Sequence, residues 1–293
     1  MKIGLGTAQF GLDYGISNSS GQVDEPEIRE IIAAAERAGV RVVDTAAAYG
    51  DAQDRLGRAL APDHPFRIVT KLPRLPEELE AAATDEWARS AFAASLARLR
   101  TTTVYGLLVH HVGDLLGPRG PVLWNALESL RSDGALEKIG ASVYTAGDLD
   151  SLLERHPLQL VQVPLNVFDQ RLLESGHFAR LKAAGIEVHA RSVFLQGLLL
   201  MDPDALAGPY FDAARVPLAA FRSAASAAGC TPLQAAVSFA ISIDEVDAAV
   251  VGVTDAAQFA EIIAAAVPTL ARDWYRPFAL DDERILDPSR WPT

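Results

Sequence analysis

The chain holds a single cysteine, Cys230, in 293 residues. One thiol forms no intrachain disulfide and no thiolate cluster around a metal, and a reducing cytoplasm is the compartment it suits. Aromatic residues are scarce, at 7%, and there are two methionines, so any core is built mainly from Ala, Leu, Val and Ile. No run of about eighteen apolar residues escapes a charge, Gly or Pro, so no transmembrane helix is expected. The opening MKIGLGTAQFG lacks the apolar core of a signal peptide and reads as a strand and its loop. Basic residues are in deficit: 26 Lys and Arg face 38 Asp and Glu, a net charge of −12. That balance argues against nucleic acid and anionic membranes as partners. The acid-rich LDDERILDP near the end reads as a solvated tail. The six histidines show no HxH or HExxH spacing, so no metal site is expected.

What is present is a strict alternation. Short apolar runs at 2–6, 41–44, 67–71, 104–109, 137–142, 159–163, 187–191 and 248–252 read as buried strands. Between them lie helical patterns at 26–39, 51–61, 84–100, 121–133, 146–155, 171–184, 215–228, 232–242 and 255–266. Pro26 in a first turn, Gly39 at a helix end, Thr145 as an N-cap and Thr231-Pro232 as a helix start mark boundaries. Eight βα units predict a closed (β/α)8 TIM barrel. An open doubly wound sheet is disfavoured because no GxGxxG turn joins the first strand to a helix. No Pro/Gly/Ser-rich linker divides the chain, so residues 1–293 are expected to form one domain, with a long loop at 192–214 and a tail at 267–293. Long loops in compact folds tend to be functional.

Three strands end in polar residues. VVDTAAAYG carries Asp44 and Tyr49, VTKLP carries Lys71, and LLVHH carries His110. A carboxylate, a phenol, an ammonium and an imidazole at one rim can orient and protonate a carbonyl. Each alone has a plainer reading: a turn cap, a packed aromatic, a surface lysine, a core-edge histidine. Their joint order at the ends of strands two, three and four favours catalysis. Alternation puts His111 on the opposite face from His110.

With these strings in place, the chain resembles the aldo-keto reductase superfamily over nearly its whole length. The resemblance rests on GLGTAQFG, VVDTAAAYGDAQDRLGRAL, VTKLP, YGLLVHH, GALEKIGAS, LQLVQVPLN, HARSVFLQGLL and VVGVTDAAQFAEI, in that order. It implies a barrel with a nicotinamide cofactor across the C-terminal ends of the strands, and hydride transfer from NAD(P)H to an aldehyde or ketone. Tyr49 is then the general acid, with a phenol pKa lowered by the Lys71 ammonium. Asp44 holds Lys71, and His110 orients the substrate oxygen. The resemblance assigns Gln162 and Ser142 to the nicotinamide carboxamide and Gly6, Thr7 and Ala8, with Asp44, to the cofactor-binding first loops. Val143 stands where many members have Asn, and Arg191 where many stack an aromatic ring. A guanidinium can stack too, and can reach a pyrophosphate.

Gly252, Thr254, Gln258 and Glu261 match the adenosine-phosphate site. The resemblance favours NADPH, yet residues 251–262 contain no Lys or Arg and include Asp255. A weakened NADPH preference follows, with NADH possible. Phe10, Tyr14, His111, the 192–214 loop, Trp274, Tyr275 and Trp291 are expected to line the substrate pocket. The carbonyl itself and the oligomeric state are not readable. Two rival functions fit the same residues: a non-catalytic, nicotinamide-binding regulatory barrel, and a lyase forming a Schiff base on Lys71.

Overall fold

Strands apolar on both faces need cover on both sides, and the chain supplies it by closing its sheet inside a ring of helices. The computed structural model describes residues 1–292. Its strands are β1 Ile3–Gly6, β2 Val42–Asp44, β3 Arg67–Leu72, β4 Val104–Val109, β5 Leu136–Ser142, β6 Leu160–Pro164, β7 Glu187–Arg191 and β8 Ala248–Gly252. They pair in parallel in chain order, and β8 returns to β1 to close the barrel. The eight sequence-predicted strands thus differ from the observed ones by one residue or less at each end.

The helices are α1 Glu25–Arg37, α2 Ala52–Ala59, α3 Thr84–Leu99, α4 Gly120–Ser132, α5 Ala146–Arg155, α6 His177–Ala183, α7 Asp212–Ala227, α8 Pro232–Ser242 and α9 Ala256–Ala265. The expected caps form. Thr145 Oγ1 accepts from Asp148 N at 3.1 Å, and Thr231 with Gln234 completes a capping box at the start of α8. Gly39 takes φ +72° where α1 stops. The helix expected over 171–184 is broken. A short turn at Arg171–Glu174 ends before Gly176, whose φ of +78° no helix accommodates. The 192–214 connection also holds short 3-10 turns and the start of α7.

Two hydrophobic layers result. A large outer layer fills the space between strands and helices. A smaller cluster of Val42, Val69, Tyr105, Leu108, Leu160 and Ala248 plugs the barrel interior. Strand periodicity then positions the site: a side chain two residues beyond an inward one also points inward. Counting on from Val42, Val69, Leu108 and Leu160 reaches Asp44, Lys71, His110 and Gln162. Small residues make room. A Cβ on Gly140 would lie 1.7 Å from the Leu160 carbonyl oxygen, so only glycine fits there, and Ser142 follows it at the rim.

The acid-rich tail is not merely solvated. Ile285, Leu286 and Trp291 are buried, and the Trp291 indole N–H donates to the Arg284 carbonyl at 3.0 Å. Apolar residues in the same segment pull it onto the barrel, and its acids pair locally, as Arg290 does with Glu283 and Asp287. Among the described residues no single helix is long and apolar enough to cross a membrane.

Candidate active site

The C-terminal rim gathers the four expected residues around one buried ammonium. Lys71 Nζ lies 2.5 Å from Asp44 Oδ1, 3.1 Å from the Thr45 carbonyl and 3.3 Å from the Tyr49 hydroxyl. Those three acceptors match the three donors of an ammonium. Lys71 is 0% exposed and Asp44 3%, so each charge depends on the other. The second Asp44 oxygen accepts from Gln162 Nε2 at 2.7 Å. The Tyr49 and His110 rings meet edge to face, with centroids 5.9 Å apart. Tyr49 comes from the loop after β2, where Gly50 at φ +55° packs on Gly11: a Cβ there would meet the Gly11 carbonyl at 2.3 Å.

Electrostatics correct one expectation. The Tyr49 phenol was expected to be acidified by Lys71. Burial instead raises its pKa, and the Asp44 carboxylate adds to the rise. Desolvation and the nearby carboxylate outweigh the Arg191 guanidinium, which pulls the other way. The phenol therefore keeps its proton at neutral pH. Burial lowers the Lys71 pKa, with Asp44 opposing it. Burial, with Lys71 beside it, pushes His110 down to about 3, so the imidazole is neutral. His110 Nδ1 is buried with no hydrogen-bond partner.

A cavity of about 480 Å³ opens above these residues. Gly6, Thr7, Ala8, Asp44, Tyr49, His110, Ser142, Gln162, Arg191, Gly252, Thr254, Gln258 and Glu261 all line it, as does Tyr14. Lys71 lies beneath it, in contact with the lining residues Asp44 and Tyr49. Two expected substrate residues fall elsewhere. Phe10 is 0% exposed in the outer hydrophobic layer, and His111 is an exposed neighbour of His110 outside the lining. Phe10 belongs to a short helical turn, Ala8–Gly11, that packs against α2 and buries that side of the turn. Trp274 and Tyr275 pack the tail onto α7 and α8, Tyr275 against Phe239 at 4.8 Å, and Trp291 packs on Phe211 just before α7; none of the three faces the cavity. The tail lends Pro288 and Ser289.

Tyr144 and Gln9 line the cavity although neither carried a sequence signal. Tyr144 stacks under the Arg191 guanidinium at 3.8 Å, while Arg191 Nε donates to Ser142 Oγ at 3.3 Å. Gln9 presents a buried Oε1 with no partner, opposite Gly252, where any Cβ would strike the Gln9 amide at 2.3 Å. Ser192, Leu195 and Gln196 all take positive φ, at 59°, 49° and 53°. Such backbone costs about 1 kcal/mol or more per residue and concentrates at functional sites. This strained segment reaches across to the first loop, the Ile16 N–H donating to the Gln196 carbonyl at 3.1 Å.

A parallel eightfold barrel with its polar residues at the C-terminal rim is the enzyme-bearing end of a (β/α)8 fold. Similarity to known proteins narrows the class. The Aldo/keto reductase family profile matches residues 2–276, and the chain belongs to that family. An aldo-keto reductase of Mycolicibacterium vanbaalenii is 30% identical over 205 residues, covering 62% of this chain and 64% of that protein. A second from Mycolicibacterium smegmatis is 30% identical over 139 residues, covering 45% of this chain and 46% of that protein. The chain thus spans under two thirds of the curated relatives it matches. Among solved structures, the holo form of a Bacillus halodurans aldo-keto reductase superposes with a TM-score of 0.74 at 19% identity, covering 97% of this chain and 95% of the other. The glycerol dehydrogenase of Gluconobacter oxydans superposes at 0.73 and 22% identity, covering 100% and 93%. At these identities the structures establish the fold.

The residues present suit a nicotinamide cofactor. Gln162 and Ser142 stand side by side in the β5–β6 register. With Gln162 Nε2 held by Asp44, its carbonyl is left to accept from a ligand. Gln9 Oε1 and His110 Nδ1 are buried acceptors or donors that protein alone leaves unpaired, and an unpaired buried polar atom is costly unless a ligand or water meets it.

Proposed function

We propose that this chain reduces an aldehyde or ketone with NAD(P)H, with Tyr49 as the general acid. The observation that carries the reading is the Asp44–Lys71–Tyr49 chain of contacts beside a neutral His110 at the floor of the cavity. Ser142, Gln162 and Arg191 would hold a reduced nicotinamide, which when bound would supply the hydride. The Tyr49 phenol, protonated at neutral pH, donates to the oxygen that becomes an alkoxide. As the proton leaves, the 3.3 Å contact from Lys71 steadies the phenolate. Asp44 keeps that ammonium charged and in place. The neutral His110 imidazole offers a hydrogen bond to the same oxygen and fixes its direction. Ser17, Asn18, Ser19, Ser20 and Gln196 give the cavity a polar wall, which favours a small polar carbonyl.

The rival readings meet specific obstacles. A Schiff base needs an accessible amine, and Lys71 is fully buried with three acceptors around it. A purely regulatory barrel has no use for the assembled set. The test is a Tyr49→Phe variant assayed for cofactor binding and for turnover with a carbonyl panel. Retained binding with turnover lowered about 10²–10⁴-fold supports the role. Unchanged turnover removes Tyr49 from the chemistry.

A further inference from the structure

The turn that opens α9 forms the wall of the cavity at Thr254, Gln258 and Glu261, the region that resemblance gives to the adenosine phosphate. Free N–H groups at such a turn normally welcome an anion. Here the chain's own acceptors hold three of them. Ala256 N donates to Glu27 Oε1 at 2.7 Å, Gln258 N to Asp255 Oδ1 at 2.7 Å, and Thr254 N to Gln258 Oε1 at 3.1 Å. Glu27 comes from α1, 229 positions away. The neighbouring Arg29 and Arg58 both pair with Glu25, and among the described residues Glu27 has no ion pair of its own. Among the described residues Arg191 is the only Lys or Arg lining the cavity, and it is tied to Ser142 and the Val143 carbonyl on the β5 side.

We propose that Glu27, acting with Asp255, makes the chain selective for a dinucleotide with a free adenosine 2′-hydroxyl, that is, for NADH over NADPH. This rests on the reading that the cavity takes a nicotinamide cofactor. A ribose hydroxyl can donate to a carboxylate. A 2′-phosphate brings up to two further negative charges to a turn that holds two carboxylates and Glu261, and among the described residues no Lys or Arg of that turn lines the cavity to offset them. It also has to compete for amides that already have partners.

Isothermal titration calorimetry with NADH and NADPH tests this on the wild type, Glu27→Gln, and Glu27→Gln combined with Asp255→Asn. Both replacements are near-isosteric, and Asn remains a good helix cap. NADH is expected to bind the wild type about tenfold tighter or more. Glu27→Gln is expected to narrow the ratio about threefold and the double variant further, with NADH affinity held within about twofold. Raising ionic strength narrows the wild-type ratio as well, because the discrimination is electrostatic. Tighter NADPH binding by the wild type, or a ratio unmoved in both variants, overturns the assignment while leaving the nicotinamide reading intact. Binding of neither nucleotide overturns both.

Discussion

Replacing Asp44 by Asn probes the buried charge on which the candidate site is built. The carboxylate sits 2.5 Å from Lys71 Nζ, with both side chains at 4% exposure or less. Asparagine keeps the shape but loses the charge, and its amide turns a donor towards either Lys71 or Gln162. Leaving one partner of a buried pair uncompensated costs about 3–5 kcal/mol. Lys71→Met strands Asp44 in the same way and has a comparable cost. Removing both charges relieves both penalties, so the Asp44→Asn, Lys71→Met double variant should unfold well short of the sum of the singles, by about 2 kcal/mol or more. The pH response has a definite sign. Without Asp44, burial draws the folded-state pKa of Lys71 further below its ordinary value of 10.5. The unfolded chain then binds the extra proton between those two values, so stability rises with pH across that window. The Asp44→Asn deficit should therefore shrink between pH 7 and pH 9, by up to about 1.4 kcal/mol per pH unit. Urea unfolding of the four proteins at both pH values measures this. Additive single costs within about 0.5 kcal/mol, or a deficit that grows with pH, would refute the reasoning.

Acid should destabilise the fold over a window set by two depressed groups. Burial puts His110 near 3. Glu187 falls to about 2: burial alone would raise it, but hydrogen bonds from His189, Lys138 and Tyr105 prevail. Both folded values lie below the ordinary 6.5 and 4.5, so the unfolded chain takes protons first and stability drops as pH falls from 6.5 towards 2. His110→Gln should flatten the upper part of a melting-temperature profile and Glu187→Gln the lower part; identical profiles would contradict the assignment. Gly140→Ala drives a Cβ to 1.7 Å from the Leu160 carbonyl and should cost about 3 kcal/mol or abolish soluble expression. Gly147→Ala, in α5 with nothing within 4 Å, should leave stability equal or raise it by about 0.5–1 kcal/mol in the same urea assay.

The barrel was legible because its signal is local. Each strand is a short, mostly apolar run closed by turn residues, and a parallel strand needs little else to be read. The same period carried Asp44, Lys71, His110 and Gln162 to one rim. Legibility failed where the deciding contact is distant in sequence. Gly176 broke the expected 171–184 helix by a conformation that glycine permits but does not announce. Phe10 looked like a pocket residue from its position after β1, and the short Ala8–Gly11 turn buried it. The tail's acids read as solvated although Ile285, Leu286 and Trp291 anchor it. The expected acidification of Tyr49 neglected the desolvation that comes with a buried site. Glu27 lies on an ordinary helix face, and only the folded chain brings it to the Ala256 amide.

The central claim is proton donation by Tyr49 to a carbonyl reduced at this rim. The most direct measurement is nicotinamide absorbance during single turnover, wild type against Tyr49→Phe, with cofactor binding measured alongside. The account predicts that both bind the cofactor and that hydride transfer in the variant falls about 10²–10⁴-fold. Equal rates in the two proteins would contradict it.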